Sequence, residues 1–261
     1  MRTVLALAML WPSAVAAADV DCLMDPAAVV EVGSPVAGLL ESVPVERGDD
    51  VIAGQTLARL NDKIEAGTVD LLRLRATNTS VIESQTRQLE MVDRRYARIK
   101  ALRERGVATE EQLDQVEAEL IASQSLLAQA ELNRDLAIKE LARAEAALGQ
   151  RKIVSPLSGV VTERNLSAGE FIGQGDYLVR IVQMDPLRIE AFVPISLFGQ
   201  ITLGQDATIL PAAPVGGAYS AAVTSVDQVF DAASGTFVVQ LELPNPDGAL
   251  PGGHRCTLTF E

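Results

Sequence analysis

Residues able to do chemistry are few in this chain, and their types limit what that chemistry could be. His254 is the only histidine, and the two cysteines, Cys22 and Cys256, stand far apart in the sequence. A zinc or copper centre draws on several imidazole or thiolate ligands brought together. No such cluster is legible, so no metal is expected. A nucleophile–base relay would have to use that single histidine. The carboxylates read as solvated faces rather than as paired acids and bases, and no glycine-rich phosphate loop appears. No catalytic residue and no cofactor are therefore expected, and the chain does not read as an enzyme. The two cysteines leave two readings open, a disulfide in an oxidising compartment or a pair of buried thiols.

Charge and the first residues narrow the setting. The 261 residues carry 35 Asp and Glu against 22 Lys and Arg, a formal net charge of −13. Such a chain repels phosphate backbones, which argues against a nucleic-acid partner and disfavours anionic headgroups. Residues 1–18 read as a secretory signal peptide. Arg2 is followed by an apolar run, Val4 to Trp11, and then by Ala14, Ala16, Ala17 and Ala18. The run is too short to cross a hydrocarbon core of about 30 Å. Export with cleavage, and a periplasmic protein, are the expectation. Val20 and Asp21 stand where a lipoprotein site would have small residues, so acylation of Cys22 is not expected.

An internal repeat carries most of the structural information. Ser34-Pro35-Val36-Ala37-Gly38-Leu39-Leu40 returns as Ser155-Pro156-Leu157-Ser158-Gly159-Val160-Val161, 121 positions on. At the same offset Gly48 meets Gly169, and Gly54 to Leu60 meets Gly175 to Ile181. Each copy holds short apolar runs punctuated by glycine, a pattern of short strands and turns. One copy cannot bury its apolar face alone. Two copies packed together make a small closed β-sandwich.

Between the copies, residues 65–149 contain no proline and only Gly67, Gly106 and Gly149. Leu113, Val116, Leu120, Ser123, Leu127, Ala130, Arg134, Ala137, Leu141, Ala144 and Leu148 advance in steps of three and four, a heptad seam. Ile82, Leu89, Val92, Tyr96 and Ile99 follow the same spacing more loosely. Each arm runs to roughly 40 residues, or about 60 Å of helix. The break falls near Gly106, suited to the left-handed position after a helix. Thr109 with Gln112 is a capping box for the next helix. The insert is thus expected to go out and come back as an antiparallel α-hairpin with its tip at 106–109.

A duplicated β half-motif split by a helical hairpin resembles the periplasmic adaptors, or membrane fusion proteins, of Gram-negative efflux pumps. The half-motifs are similar to the halves of a lipoyl or biotinyl domain. Arg98, Leu102 and Thr109 resemble the family's Arg-x3-Leu-x6-Ser channel-recognition pattern, with Thr109 for serine. The resemblance implies that Arg98, Leu102, Gly106 and Thr109 bind a partner. The plainer reading makes Thr109 a helix cap and Arg98 a solvated charge. Leu102 is expected off the seam and exposed, on one face with Arg98.

After residue 185, Leu187 to Val193 alternates like a strand. Asp231 to Val239, Asn245-Pro246 and Leu250-Pro251-Gly252-Gly253 resemble the family's barrel segments. In such barrels the first strand lies beside late ones, so the resemblance implies that Cys22 and Cys256 are neighbours that could be bonded. Many family members continue into a membrane-proximal domain, of which no clear counterpart is read here. Lys63 lies after the first half-motif, where true carriers present a modified lysine at a tight turn. A long helical arm leaves from that place instead, so modification is not expected.

The expected fold is an elongated α+β multi-domain rod. A long antiparallel coiled-coil hairpin is inserted in a lipoyl-like β-sandwich, and an antiparallel β-barrel follows. The expected segments are the signal at 1–18, a strand joining the barrel at 19–28, the first half-motif at 29–63 and the hairpin at 64–150. The second half-motif at 151–184 and the barrel at 185–261 complete the chain. The implied function is an adaptor bridging an inner-membrane transporter, RND or ABC, and an outer-membrane channel, working as a ring of copies, six as in relatives. Two rivals remain at this level: a biotin or lipoate carrier domain, and an envelope scaffold without a transport role.

Overall fold

The computed structural model describes residues 19–261, so the expected export signal lies outside the described residues. Four strands come first: β1 (Val20–Gly33), β2 (Gly38–Ser42), β3 (Asp50–Val51) and β4 (Thr56–Leu60). Three helices follow, α1 (Lys63–Thr77), α2 (Ser80–Glu104) and α3 (Glu110–Gly149). Then come β5 (Lys152–Val154), β6 (Gly159–Arg164), β7 (Phe171–Ile172), β8 (Tyr177–Pro194), β9 (Asp206–Pro211), β10 (Tyr219–Val226), β11 (Thr236–Leu243) and β12 (His254–Phe260).

The 121-residue repeat is a two-fold relation in space. β2 and β6, β3 and β7, and β4 and the start of β8 each begin 121 positions apart. Their pairings obey the same rule. Gly38 pairs with Ile172 where Gly159 pairs with Val51, and Leu40 pairs with Leu60 where Val161 pairs with Ile181. The interior is made of matched residues too. Leu40 and Val161, Val51 and Ile172, Leu57 and Leu178, and Leu60 and Ile181 are all buried. Each half offers one apolar face, and only the other half covers it.

The barrel is a ring of six strands in the order β1-β12-β9-β10-β11-β8, closed by pairing of β1 with β8. Strict alternation fills it: Phe237, Val239, Leu241 and Leu243 of β11 point inward, as do Leu187, Ile189, Ala191 and Val193 of β8. β1 and β8 do not stop at the module boundary. They pair from Cys22 with Ala191 through to Gly33 with Tyr177, with a register shift between Pro26 and Ala28. The separate joining strand and half-motif strand expected from sequence are therefore one continuous strand. One end of it enters the barrel core through Val20, Cys22 and Met24, and the other enters the sandwich core through Val32.

Asn245 locks this junction. Its backbone N–H donates to Asp185 Oδ1 at 2.8 Å, and its Nδ2 donates to the carbonyls of Met184 and Leu250 at 3.0 Å each. Its Oδ1 accepts the Leu250 N–H at 3.0 Å. A buried amide with every bond made is structural, because an unmet one would cost about 1–3 kcal/mol. Further along β1, Cys22 faces Cys256 of β12 with a Cα separation of 4.8 Å, and their sulfurs are joined.

The helical insert folds back. Arg73 pairs with Glu145 at 3.1 Å, Arg95 with Glu119 at 2.8 Å, and Arg103 with Glu110, so α1 and α2 run antiparallel to α3. All eleven heptad positions expected on the return arm are buried or half-buried. The outgoing arm differs from the expected unbroken helix: it is interrupted at Asn78-Thr79. Asn78 is extended, with φ −75° and ψ 115°, and its Oδ1 takes both the N–H and the hydroxyl of Ser80. A short polar side chain that bonds nearby backbone competes with helical pairing.

Candidate functional site: the tip of the helical hairpin

Local sequence shapes the tip. Gly106 adopts φ +73°, a conformation that side chains with a Cβ rarely hold. The Val107 N–H donates to the Leu102 carbonyl, and the Gly106 N–H to that of Arg103, both at 2.9 Å. These two bonds form a Schellman motif that satisfies the last carbonyls of α2. Thr109 Oγ1 accepts the Gln112 N–H at 3.2 Å, and Gln112 Oε1 accepts the Thr109 N–H at 3.0 Å. The expected capping box is present. Glu110 and Glu111 sit at the positive end of α3.

The four residues singled out by sequence do not share one exposed face. Arg98 is exposed. Its neighbours Arg95 and Arg103 are tied across the hairpin, whereas Arg98 has no salt-bridge partner among the described residues. Thr109 is exposed, with its hydroxyl oxygen already used as a cap acceptor. Gly106 supplies the turn. Leu102 departs from expectation: it is half-buried rather than exposed, and its carbonyl accepts the capping bond. The cause is the seam itself. Three residues beyond Ile99, the seam falls on Leu102 before the helix ends.

Sequence reasoning missed Val107. It is 71% exposed at the apex, an apolar β-branched side chain held out by the glycine turn. The signal was there, since a valine directly after a left-handed glycine cannot return to the seam. Together the tip offers a cation, a hydroxyl and one apolar contact on a rigid double cap. Such a surface can recognise another helix pair. Nothing in it suggests bond-making chemistry.

The other residues weighed in the sequence are structural in their surroundings. Lys63 is the exposed first residue of α1, not the apex of a β-turn. His254 Nε2 lies 2.8 Å from the Ala212 carbonyl. No group of three metal-capable side chains occurs among the described residues. On the sandwich surface Tyr177 donates to Glu163 at 2.9 Å, and this bond, with some burial, holds the phenol proton above its usual range. Arg180 is tied to Glu31 and Glu163, and the hydrogen bond to Glu31, with the charge of Glu163, holds its proton more tightly. No helix among the described residues is long and apolar enough to cross a membrane.

Residues 28–183 match the model for the CzcB-like, barrel-sandwich hybrid domain, and residues 187–261 that for the CusB-like, beta-barrel domain. The chain belongs to the membrane fusion protein family. The pyoverdine export membrane fusion protein PvdR of Pseudomonas aeruginosa is 25% identical over 192 residues, covering 70% of this chain and 48% of that protein. The nodulation protein NolF of Rhizobium meliloti is 28% identical over 223 residues, covering 84% and 56%. The nickel-cobalt-cadmium resistance protein NccB of Alcaligenes xylosoxydans xylosoxydans is 26% identical over 220 residues, covering 84% and 50%. This membrane fusion protein thus spans about half the length of the curated relatives it matches. The crystal structure of MacA from Actinobacillus actinomycetemcomitans aligns with a TM-score of 0.75 at 20% identity, covering 93% of this chain and 77% of that one. That likeness establishes a shared fold of sandwich and barrel.

Proposed function

We propose that this chain is a periplasmic adaptor of a tripartite efflux system, exported by a cleaved signal at residues 1–18. In this reading the tip of a coiled-coil hairpin, through Arg98, Gly106, Val107 and Thr109, meets an outer-membrane channel. Leu102 acts from beneath by holding the cap. The barrel faces an inner-membrane transporter, of RND or ABC type. Copies stand side by side in a ring, six as in relatives. The subunit has no catalytic step of its own: the transporter performs work, and the adaptor couples and seals.

One observation carries this reading. The two halves of a sandwich are built 121 residues apart, and the chain between them returns as a capped hairpin. Nothing in the sandwich needs so long an arm, so the arm serves reach. The arm of α3 is 40 residues, which at about 1.5 Å per residue spans about 60 Å. The carrier reading loses its basis, because Lys63 opens a helix.

The test is copurification from gently solubilised envelopes. The wild-type chain should bring down both a channel and a transporter. Arg98→Glu with Val107→Asp should lose the channel and keep the transporter, with unchanged circular dichroism. Both substituted residues are exposed, so folding should survive. Retention of the channel by that variant would remove the tip assignment. Capture of neither partner by the wild-type chain would favour an envelope scaffold.

A further inference from the structure

The return arm carries a second seam. Ala118, Ile121, Ser125, Ala128, Leu132 and Asp135 advance in steps of three and four, as the inner seam does, and all six are exposed. Counted from the inner seam they fall on the far side of α3, away from α1 and α2. Between Glu119 and Glu131 the helix holds no charged residue on any face. Ile121 is 61% and Leu132 51% exposed, in the spacing that a helix uses to pack on other helices. Asp135 ends this outer seam. The bridges across the hairpin use Glu110, Glu119 and Glu145 and leave Asp135 without a salt-bridge partner among the described residues.

A groove lies on another flank of the same hairpin. It opens between the arms beside the break at Asn78-Thr79, with a volume of about 450 Å³. Val81 and Leu136, both more than half exposed, are its apolar walls. Arg75 and Arg134 bring two cations to it against one carboxylate, Glu140. Neither arginine has a salt-bridge partner among the described residues, and Arg134 Nε has no hydrogen-bond partner. A cation kept in a helical seam without a partner calls for a reason.

We propose that this groove receives α3 of a second copy of this chain. Leu132 of that copy enters between Val81 and Leu136, and its Asp135 meets Arg75 and Arg134. Height along the arm singles out this occupant. Asp135 and Arg134 are adjacent in sequence, so they stand at one level of the helix. Copies related by rotation about an axis parallel to their arms keep every residue at its level. The outer seam of one copy therefore carries its acid to the level of the next copy's free cations without any sliding. Seam and groove are unlike surfaces on different sides of α3. The contact is thus heterologous: each copy gives its seam to one neighbour and takes a seam from the other. A two-fold contact through the outer seam alone would leave the groove and its arginines unmet.

The inference gives the proposed ring of copies its contact, and takes from that reading only that the arms stand parallel. A photo-crosslinking residue at Leu132 of the full chain, in cells, tests it. The expected product is a ladder of multiples of this chain. Asp135→Arg and Arg75→Glu should each lower its yield roughly tenfold, because each sets like charges together. The two substitutions in one chain should recover part of that loss, because every contact again joins opposite charges. Positions 75 and 135 are exposed, so melting temperatures should not move. No ladder from wild type, a product containing another protein in its place, single variants that crosslink as wild type does, or a double variant no better than the single ones would overturn the inference. The ladder needs neither channel nor transporter, and copurification of those partners needs no particular contact between copies, so the two readings can fail separately.

Discussion

Gly48 and Gly169 hold the same conformation on opposite halves of the sandwich, at φ +98° and +90°, and each donates its N–H at 2.8 Å to the matching carbonyl of the other half, Val161 and Leu40. Neither half can make that bond alone. The relation ties residues far apart in the chain into one closed unit and fixes both ends of the helical arm to one base.

The two-fold relation is not perfect, and its defect can be measured. A Cβ on Gly159 would stand 2.3 Å from the Val182 carbonyl oxygen, whereas one on the equivalent Gly38 would first meet the flexible Arg151 Nη1 at 3.1 Å. Gly159→Ala should cost about 3 kcal/mol, and Gly38→Ala under about 1 kcal/mol. Urea midpoints of the two variants check this. Equal losses would mean that the β6–β8 approach is looser than the geometry states.

The Cys22–Cys256 bond closes a loop of 234 residues between the first and last strands of the ring. Replacing both cysteines by alanine should lower stability by about 2–5 kcal/mol. A reductant should lower the melting temperature of the wild type and leave that of the variant unchanged. Two free thiols in the unreduced, denatured chain would contradict the pairing.

Arg134 occupies a seam position of the return arm, and its Nε is buried without a hydrogen-bond partner. A donor in that condition costs about 1–3 kcal/mol, and a leucine there would remove it. Arg134→Leu should therefore slow amide exchange across 110–149, by about fivefold for each kcal/mol gained. Faster exchange would mean that the guanidinium contributes more through its stem than the orphan nitrogen costs.

Asp231 carries a pH dependence of definite sign. The N–H of Ala233 and then the hydroxyl of Ser234 hold its carboxyl below the usual range. A depressed folded value contributes order that is present above the unfolded value and is lost as pH falls through the folded one. The loop at 227–235 should stay ordered at neutral pH and loosen only in strong acid. Amide chemical shifts of Ala233 and Ser234 should show that acid step in the wild type and lack it in Asp231→Asn.

The repeat, the seam and both caps at the tip were legible because each depends on short-range spacing. Glycine at a fixed offset and a threonine three before a glutamine need no tertiary knowledge. Three features were not legible. β1 and β8 serve both modules, and a strand buried by different partners along its length shows no boundary in its apolar pattern. The break at Asn78-Thr79 comes from an asparagine bonding locally in a stretch whose periodicity tolerates it. Leu102 is half-buried because the seam drifts by one step at the end of α2. The lock at Asn245 resembled a family word in sequence, and the structure supplies its reason in four hydrogen bonds.

The role of the tip is tested most directly by a photo-crosslinking residue at Val107, the exposed apex, in cells that hold the complete envelope. The expected result is a covalent product containing an outer-membrane channel, with none from the same probe at Lys63 at the base of the arm. A product at Val107 containing only a second copy of this chain, or no product while Lys63 captures the channel, would contradict the proposal that the arm reaches outward to the channel.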